Sequence, residues 1–312
     1  MPENELDETP VWETYSPKKE SDNFFFPEEH HDYQLMRFLH DAILRHAGGF
    51  EKFRRDVPRL LRQAIDEVID AARSRRYTIG EIEKTEKTYL GTKVEILLRH
   101  YLGVERGEIL DLSIDGVEVD VKNTVRIAWT IPNEALGHPC ILISANELTS
   151  LCSFGIIVIR ADILNAGRNR DQKTTITKNG LKNVHWLLKD FPYPANFWQH
   201  LPPAHRDAIT KPRGGTERTA MLFRLYQRQP VPRGLVEALA QQKDYMKRLR
   251  KNGGARDLLC NEGTAILSGK KHRILIAELG LPQCGPSEFI SITPTSELER
   301  AKLVEAGEIR SV

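Results

Sequence analysis

The sequence predicts an α/β or α+β domain followed by a mainly α domain. Three observations carry that reading. Apolar stripes of period 3.6 run through the first hundred or so residues, and alternating, then near-continuous, apolar runs occupy 109–160. A proline-dense stretch at 188–203 then precedes a second set of helical patterns of opposite charge balance. The 312 residues suffice for one large domain or two ordinary ones. At 40% hydrophobic and 28% charged, the composition is that of a soluble globular protein. The longest apolar runs, near 139–145 and 154–159, are too short to span a bilayer, so no membrane partner is expected. The acidic N-terminus lacks the pattern of a signal peptide. Cys140, Cys152, Cys260 and Cys284 form no C-x-x-C pair, which argues against a zinc site or disulfide framework and fits a cytoplasmic location.

Residues 1–30 are acidic, with prolines at 2, 10, 17 and 27, and read as a disordered extension with Phe24-Phe25-Phe26 as a docking point. The adjacent His30 and His31 diverge and read as surface histidines. A helix is expected over 32–46. A second is expected over 58–75, with Pro58 in its first turn and Leu61, Ala64, Ile65, Val68, Ile69 and Ala72 as its core stripe. Thr78-x-x-Glu81 reads as a capping box. The segment 83–95 leads into another helix, buried along Val94, Leu97, Leu98 and Tyr101. Glu95 lies beside that stripe, and two readings of it stay open. Thr92-x-x-Glu95 is itself a capping box; alternatively the helix delivers Glu95 as an acidic group to the hairpin that follows.

That hairpin is signalled by Asp115-Gly116, a pair suited to the positive φ of a type I′ turn. Counting outward sets Ile114 against Val117, Leu112 against Val119 and Asp111 against Asp120. Leu110, Leu112, Ile114, Val117, Val119 and Val121 share an apolar face, and Asp111, Ser113, Glu118, Asp120 and Lys122 share the other. Two facing carboxylates repel by roughly 0.2–1 kcal/mol. A divalent cation would turn that repulsion into attraction, with Lys122 aimed at the same spot. An ordinary half-buried hairpin with a charged outer face has the same pattern, and spacing alone does not separate the two.

Beyond it, Asn123–Trp129 and a proline-containing turn at 131–139 lead to Cys140–Ala145 and Phe154–Arg160, which read as central strands covered on both faces. This places the carboxylates at a sheet edge. Residues 165–178 read as a polar, basic loop. After the proline-rich boundary, helices are expected at 216–228, 231–240 and 241–250, the last ended by Gly253-Gly254. Leu258–Leu267, turning at Asn261-Glu-Gly263, reads as a β wing. Charge follows this division: residues 196–312 carry 19 Lys+Arg against 12 Asp+Glu, while 1–195 carry 26 against 31. Within 196–273 the count is 16 against 6, which points to a polyanionic partner, the bland alternative being a solvated basic surface. Helix, turn, basic helix and wing form a winged helix-turn-helix pattern, whose last helix enters a DNA major groove. Lys243, Lys247, Arg248, Arg250, Lys251 and Arg256 are the expected DNA-facing residues. No Walker loop, G-x-G-x-x-G after a strand or G-x-S-x-G elbow occurs, which disfavours nucleotide-driven, dinucleotide and serine-hydrolase chemistry.

Asp111, then Asp120-x-Lys122, with an upstream helical glutamate, resembles the PD-(D/E)XK nuclease core. More narrowly, Glu83-Lys-Thr-Glu-Lys-Thr88, Gly91-Thr-x-Val-Glu-Ile96, Gly116-Val-x-Val-Asp-x-Lys122, Gly137-His-x-Cys140 and Ala240-Gln-Gln-x-Asp-x-Met-Lys-Arg-x-Arg250, with Gly253-Gly-Ala-Arg256, resemble in order the NaeI-type restriction endonucleases. The resemblance implies an endonuclease domain over 31–190, a linker over 191–203 and a winged-helix DNA-binding domain over 204–312. It implies Glu95, Asp111, Asp120 and Lys122 as catalytic residues, the three carboxylates as Mg²⁺ ligands. It further implies double-strand cleavage at a GC-rich palindrome by a homodimer that binds a second duplex as effector, beside a cognate DNA methyltransferase. The alternatives are a nicking or repair endonuclease on the same core, or a winged-helix regulator without catalysis. The acidic extension before about residue 30 has no counterpart in the resemblance, and the tail after about 285 diverges from it; the groove-reading residues need not match, so the recognition sequence does not follow from it.

Overall fold

The computed structural model describes residues 10, 12–15, 23–125, 128–242 and 244–310, so much of the extension expected at 1–30 lies outside the described residues. The chain divides into two compact units, Met1–Val68 with Ile82–Asn196, and Ile69–Glu81 with Phe197–Val312. The segment 69–81 thus packs with the C-terminal residues although it precedes the hairpin in sequence. No helix among the described residues is long and apolar enough to cross a membrane.

In the first unit, α1 (Tyr33–Ala47), α2 (Phe50–Ile69) and α4 (Lys84–Leu102) precede the sheet; the short α3 (Ala71–Ser74) belongs to the second unit. Helix α2 begins eight residues before the expected start, and Pro58 lies inside it. Phe53 and Val57 extend its buried stripe N-terminally, which compensates for the missing N–H. Half of the expected capping box at Thr78 forms, over a single 3₁₀ turn, Ile79–Glu81: the Glu81 side chain accepts the Tyr77 and Thr78 N–H groups at 2.5 and 2.8 Å, while the Glu81 N–H goes to the Thr78 carbonyl.

The five strands are β1 (Leu112–Ile114), β2 (Val117–Thr124), β4 (Pro139–Asn146), β5 (Leu151–Val158) and β7 (His185–Pro192), in spatial order β1-β2-β4-β5-β7. The short strands β3 (Thr130–Ile131) and β6 (Thr174–Thr175) pair separately. β2 and β4 are parallel and the other neighbours antiparallel. β4 and β5 are central and almost wholly buried, as their apolar runs imply. On one face Phe154 meets Phe53 of α2 edge-on at 5.0 Å. On the other, Cys140, Leu142, Ile157 and Ile159 pack with Trp129, Ile131, Ile163 and Ile176. Parallel register sets Asp120 beside Cys140 and Lys122 beside Leu142, so both charged side chains emerge on the second face. The turn is as expected, Asp115 at φ 50° and Gly116 at φ 87°, with Leu112 opposite Val119 and Ile114 opposite Val117.

The second unit holds α5 (Pro203–Thr210), α6 (Gly215–Leu225), β8 (Val231–Pro232), α7 (Arg233–Ala240), α8 (Met246–Leu249), α9 (Ala255–Asn261), β9 (Ala265–Ser268), α10 (Arg273–Glu278), β10 (Glu288–Ile292) and α11 (Glu297–Glu305). Its sheet has the order β8-β10-β9, all antiparallel. Two expectations are corrected. The basic helix expected over 241–250 shrinks to the single turn of α8, because Gln241 at φ 53° ends α7 and α8 starts only at Met246. Leu258–Asn261 are not wing strand but the end of α9, which starts after Gly254. A Cβ at Gly254 would lie 2.2 Å from the Arg250 carbonyl. The hairpin partner of β9 is β10, across a connection that carries α10.

Phe24 of the N-terminal aromatic cluster packs at 5.2 Å on His40 and 4.6 Å on His185, while Phe25 stays exposed. His40 Nδ1 and His185 Nε2 lie 2.8 Å apart and fully buried, so the pair shares one proton between two neutral rings. Burial pushes His185 down to about 4; burial and then the charge of His185 push His40 to about 3, both from 6.5. The unfolded chain therefore binds more protons below pH 6.5, and stability falls as pH drops from 6.5 toward 4. Urea unfolding at a series of pH values should show that slope, and His185→Gln, neutral throughout, should flatten it. An unchanged slope would remove the pair as its source.

Candidate active site

The site forms where β1 begins, at Leu112. Only Leu112–Ile114 pair with β2, so from Asp120 onward β2 has β4 as its single neighbour. The Val121 N–H is left without a ladder acceptor, and side chains take that role. Asp111 Oδ2 accepts it at 2.8 Å and Asp120 Oδ1 at 3.1 Å. Asp111 therefore meets Asp120 through this shared donor, one residue beyond the end of the ladder. Lys122 Nζ lies 2.5 Å from Asp120 Oδ1 and 3.8 Å from Asp111 Oδ2. Three of the four residues expected at the catalytic centre are thus in mutual contact.

The electrostatics are those of a crowded carboxylate pair. Burial, then hydrogen bonding with Asp120, pushes the Asp111 carboxyl up to about 6. Burial opposes the charge on Lys122, but its hydrogen bond to Asp120 and the charges of both aspartates outweigh this and hold the ammonium above its ordinary value. Burial, then the charge of Asp120, pushes the Cys140 thiol well up, so Cys140 is an apolar wall rather than a nucleophile. Asp120 Oδ2 is buried without a hydrogen-bond partner. A buried, unpartnered carboxylate oxygen beside a second carboxylate that resists ionisation is a donor set suited to a hard divalent cation.

Glu95 sits in the middle of α4, just past the buried Val94, with its carboxylate 3.9 Å from Arg99. The capping-box reading of Thr92 and Glu95 falls, because α4 starts at Lys84 and is capped by Glu83 and Glu86. Glu95, Asp111 and Asp120 do not close as a trio to within 4.8 Å of one another. Among the described residues the trio that does is His30, His31 and Asp32. There the Asp32 carboxylate takes a two-point ion pair from Arg160, 3.1 Å at Nε, and His30 Nδ1 accepts the Asp32 N–H at 3.1 Å. A guanidinium on that carboxylate disfavours a cation, so the cluster is a structural tie.

The loop before β1 and the hairpin tip are fastened by residues the spacing argument left aside. Asp115 at the tip takes an ion pair from Arg45, and His46 Nε2 lies 2.8 Å from it, while His46 Nδ1 lies 3.1 Å from the Leu102 carbonyl at the end of α4. The Glu118 carboxylate accepts the N–H groups of Glu108, Ile109 and Leu110. The alternating pattern placed Glu118 on the polar face with the aspartates; its three partners required the path of the loop.

A family model described as Restriction endonuclease NaeI matches residues 54–302. The Type II restriction enzyme NaeI of Lentzea aerocolonigenes is 32% identical over 257 residues, covering 79% of this chain and 81% of that enzyme. The chain belongs to the NaeI restriction endonuclease family. It is therefore a type II restriction endonuclease, a site-specific deoxyribonuclease.

The matched span includes the basic residues expected to face DNA in the second unit. Lys243 lies outside the described residues. Lys247 is exposed; Arg248 Nε donates to Gln242 at 2.9 Å, and Arg250 pairs with Asp244 at 3.1 Å. Lys251 donates to the Gly307 carbonyl at 2.7 Å, and Arg256 pairs with Glu308 at 2.9 Å. Burial pulls the Arg256 guanidinium below its ordinary value despite Glu308, the position of a structural cation.

The Asp111 carboxyl makes a prediction for the ion-free endonuclease. Its folded value of about 6 exceeds the ordinary 3.8, so the fold holds a proton the unfolded chain releases, and stability falls as pH rises through that window. Asp111→Asn should therefore stabilise the ion-free protein above pH 6 by about 1 kcal/mol, discounted for partial exposure, and by little below pH 4. Denaturant midpoints across pH test it; a variant destabilised at both ends contradicts the assignment.

Proposed function

We propose that this endonuclease hydrolyses both strands of duplex DNA at a palindromic, GC-rich site, using Mg²⁺ held by Asp111 and Asp120 with Glu95 as a further acidic group. The observation that carries the reading is the unpartnered, buried Asp120 Oδ2 beside the ionisation-resistant Asp111 carboxyl. A bound divalent cation supplies neutralisation of the phosphate charge that builds up during in-line attack by water. The chain's own residues do the rest. Lys122 contacts both carboxylates, which supports reading it as the group that meets the scissile phosphate and its attacking water. Its ammonium donates to phosphate oxygens and orients the water. Cys140 and Leu142 exclude bulk solvent behind it. Glu95, half-buried beside Val94 on α4, is read as the further acidic group that orients water.

The second unit is read as a winged-helix DNA-binding domain. Its support is the β8-β10-β9 order with α6, α7 and α9 packed beside it, together with the local excess of basic residues. A homodimer places one catalytic site on each strand of a palindrome, and the C-terminal pair holds a second duplex as effector. A cognate methyltransferase protecting the host sites and a cytoplasmic setting complete this reading.

Incubation of supercoiled plasmid with protein and Mg²⁺, followed by end sequencing, tests the core of it. Linear product with unique ends is expected; accumulation of nicked circles favours a nicking enzyme, and binding without cleavage favours a regulator. Lys122→Ala or Asp120→Ala should abolish cleavage while leaving DNA affinity within about tenfold, because separate basic surfaces supply most of the binding free energy. Cleavage at the wild-type rate by Lys122→Ala would remove that residue from the mechanism. Single-site plasmid should be cut slowly and be accelerated by a short cognate duplex, by roughly 5–150-fold for a coupling of about 1–3 kcal/mol. A scrambled duplex that accelerates equally would remove the effector role.

A further inference from the structure

Asp111 is the one member of the site outside regular structure: it precedes β1, and no ladder bond fixes its backbone. Its carboxylate nevertheless has to arrive at Val121 and Asp120 in one orientation. What determines that orientation is found on the loop immediately before it. Three successive backbone N–H groups, those of Glu108, Ile109 and Leu110, converge on the Glu118 side chain at 2.7, 3.2 and 2.7 Å. Oε1 takes the first and Oε2 the other two, so both carboxylate oxygens are used. Gly107 closes the same turn: a Cβ there would lie 2.5 Å from Glu118 Oε2 and 2.6 Å from the Leu110 carbonyl. The residue that follows this cradle is Asp111.

We propose that Glu118 is a positioning residue for cation binding: by gathering the amides of residues 108–110 onto its carboxylate, it sets the Asp111 side chain against Asp120. The proposal rests on the reading of Asp111 and Asp120 as the cation site. Glu118 itself is no ligand; its oxygens are occupied by the loop. Its place on β2 supplies the leverage, since it lies opposite Ser113 and two residues from Asp120 on the same polar face. One rigid strand thereby carries Asp120 and also determines where Asp111 goes. A neutral amide cannot reproduce the arrangement, because its single oxygen serves two N–H groups at best and its NH₂ faces the third donor.

The test compares Glu118→Gln with the full-length wild-type chain and with Ser113→Ala, which alters the cross-strand neighbour and leaves the cradle intact. Mn²⁺ binding to each protein is followed by water-proton relaxation, and plasmid cleavage is followed over a Mg²⁺ series. For Glu118→Gln the Mn²⁺ dissociation constant and the half-saturating Mg²⁺ concentration should both rise about tenfold or more, as loss of an outer support typically does. The rate at saturating Mg²⁺ should stay within about threefold of wild type, and Ser113→Ala should behave as wild type. Unchanged Mn²⁺ binding by Glu118→Gln overturns the proposal, and so does a loss of rate that more Mg²⁺ leaves uncorrected. If Glu118→Gln does not fold, Glu118→Asp, charged but one methylene shorter, takes its place with the same expectation. Failure of both to fold overturns the proposal, since the carboxylate would then hold up the hairpin rather than place Asp111. A wild-type chain that neither binds Mn²⁺ nor cuts DNA would sink the cation-site reading itself, a result separate from any effect of Glu118.

Discussion

Two carboxylates share one backbone N–H, that of Val121, and the site follows from this arrangement. It exists because β1 begins only at Leu112 while β2 continues beyond Val119 along β4. Had β1 begun earlier, the amide would belong to the ladder and Asp111 would be a solvent-facing strand residue. Had β2 stopped with β1, Asp120 would lack the Cys140 and Leu142 side of the sheet that desolvates it. A strand paired on one side only, over a buried neighbour, brings like charges together out of water. That state is unfavourable without a counter-charge, and Lys122 meets the need only in part: it satisfies Asp120 Oδ1 and leaves Oδ2 without a partner.

Much of this arrangement was legible in the sequence because it rests on local rules. Asp115-Gly116 needs positive φ at both positions, and that requirement alone set the register of the hairpin. Period-2 alternation then placed Asp111, Asp120 and Lys122 on one face. The unbroken apolar runs of β4 and β5 announced strands covered on both sides. What no local rule could supply was the start of β1 at Leu112. Asp111 has the alternation of a strand residue, and its change of role depends on a loop gathered by Glu118 eight to ten positions away.

The misread elements share a cause, competition between local signals and packing. Pro58 looks like the first turn of a helix, but Phe53 and Val57 bury against the core and carry α2 through it. Thr92 and Glu95 carry a capping signature in mid-helix, where Glu83 and Glu86 have already provided the start. In the second unit Leu258-Leu259-Cys260 reads equally as strand or as helix. The choice is made by Gly254, whose close approach to Arg250 turns the chain and starts α9.

Charge counting locates a basic segment but not its free residues. Part of the basic excess within 196–273 is consumed internally. Glu308 alone engages Lys251 and Arg256, and Asp244 engages Arg250. Cations still exposed to solvent include Lys247 and the run Lys270, Lys271 and Arg273 before and at the start of α10. The first 195 residues, by contrast, carry net negative charge and include the paired aspartates of the candidate site. An acidic surface does not attract DNA unaided. On the proposed reading, binding and chemistry are physically separable in this chain: the C-terminal basic residues would supply the long-range attraction, and the aspartate pair would admit a phosphate only with a cation to offset its charge.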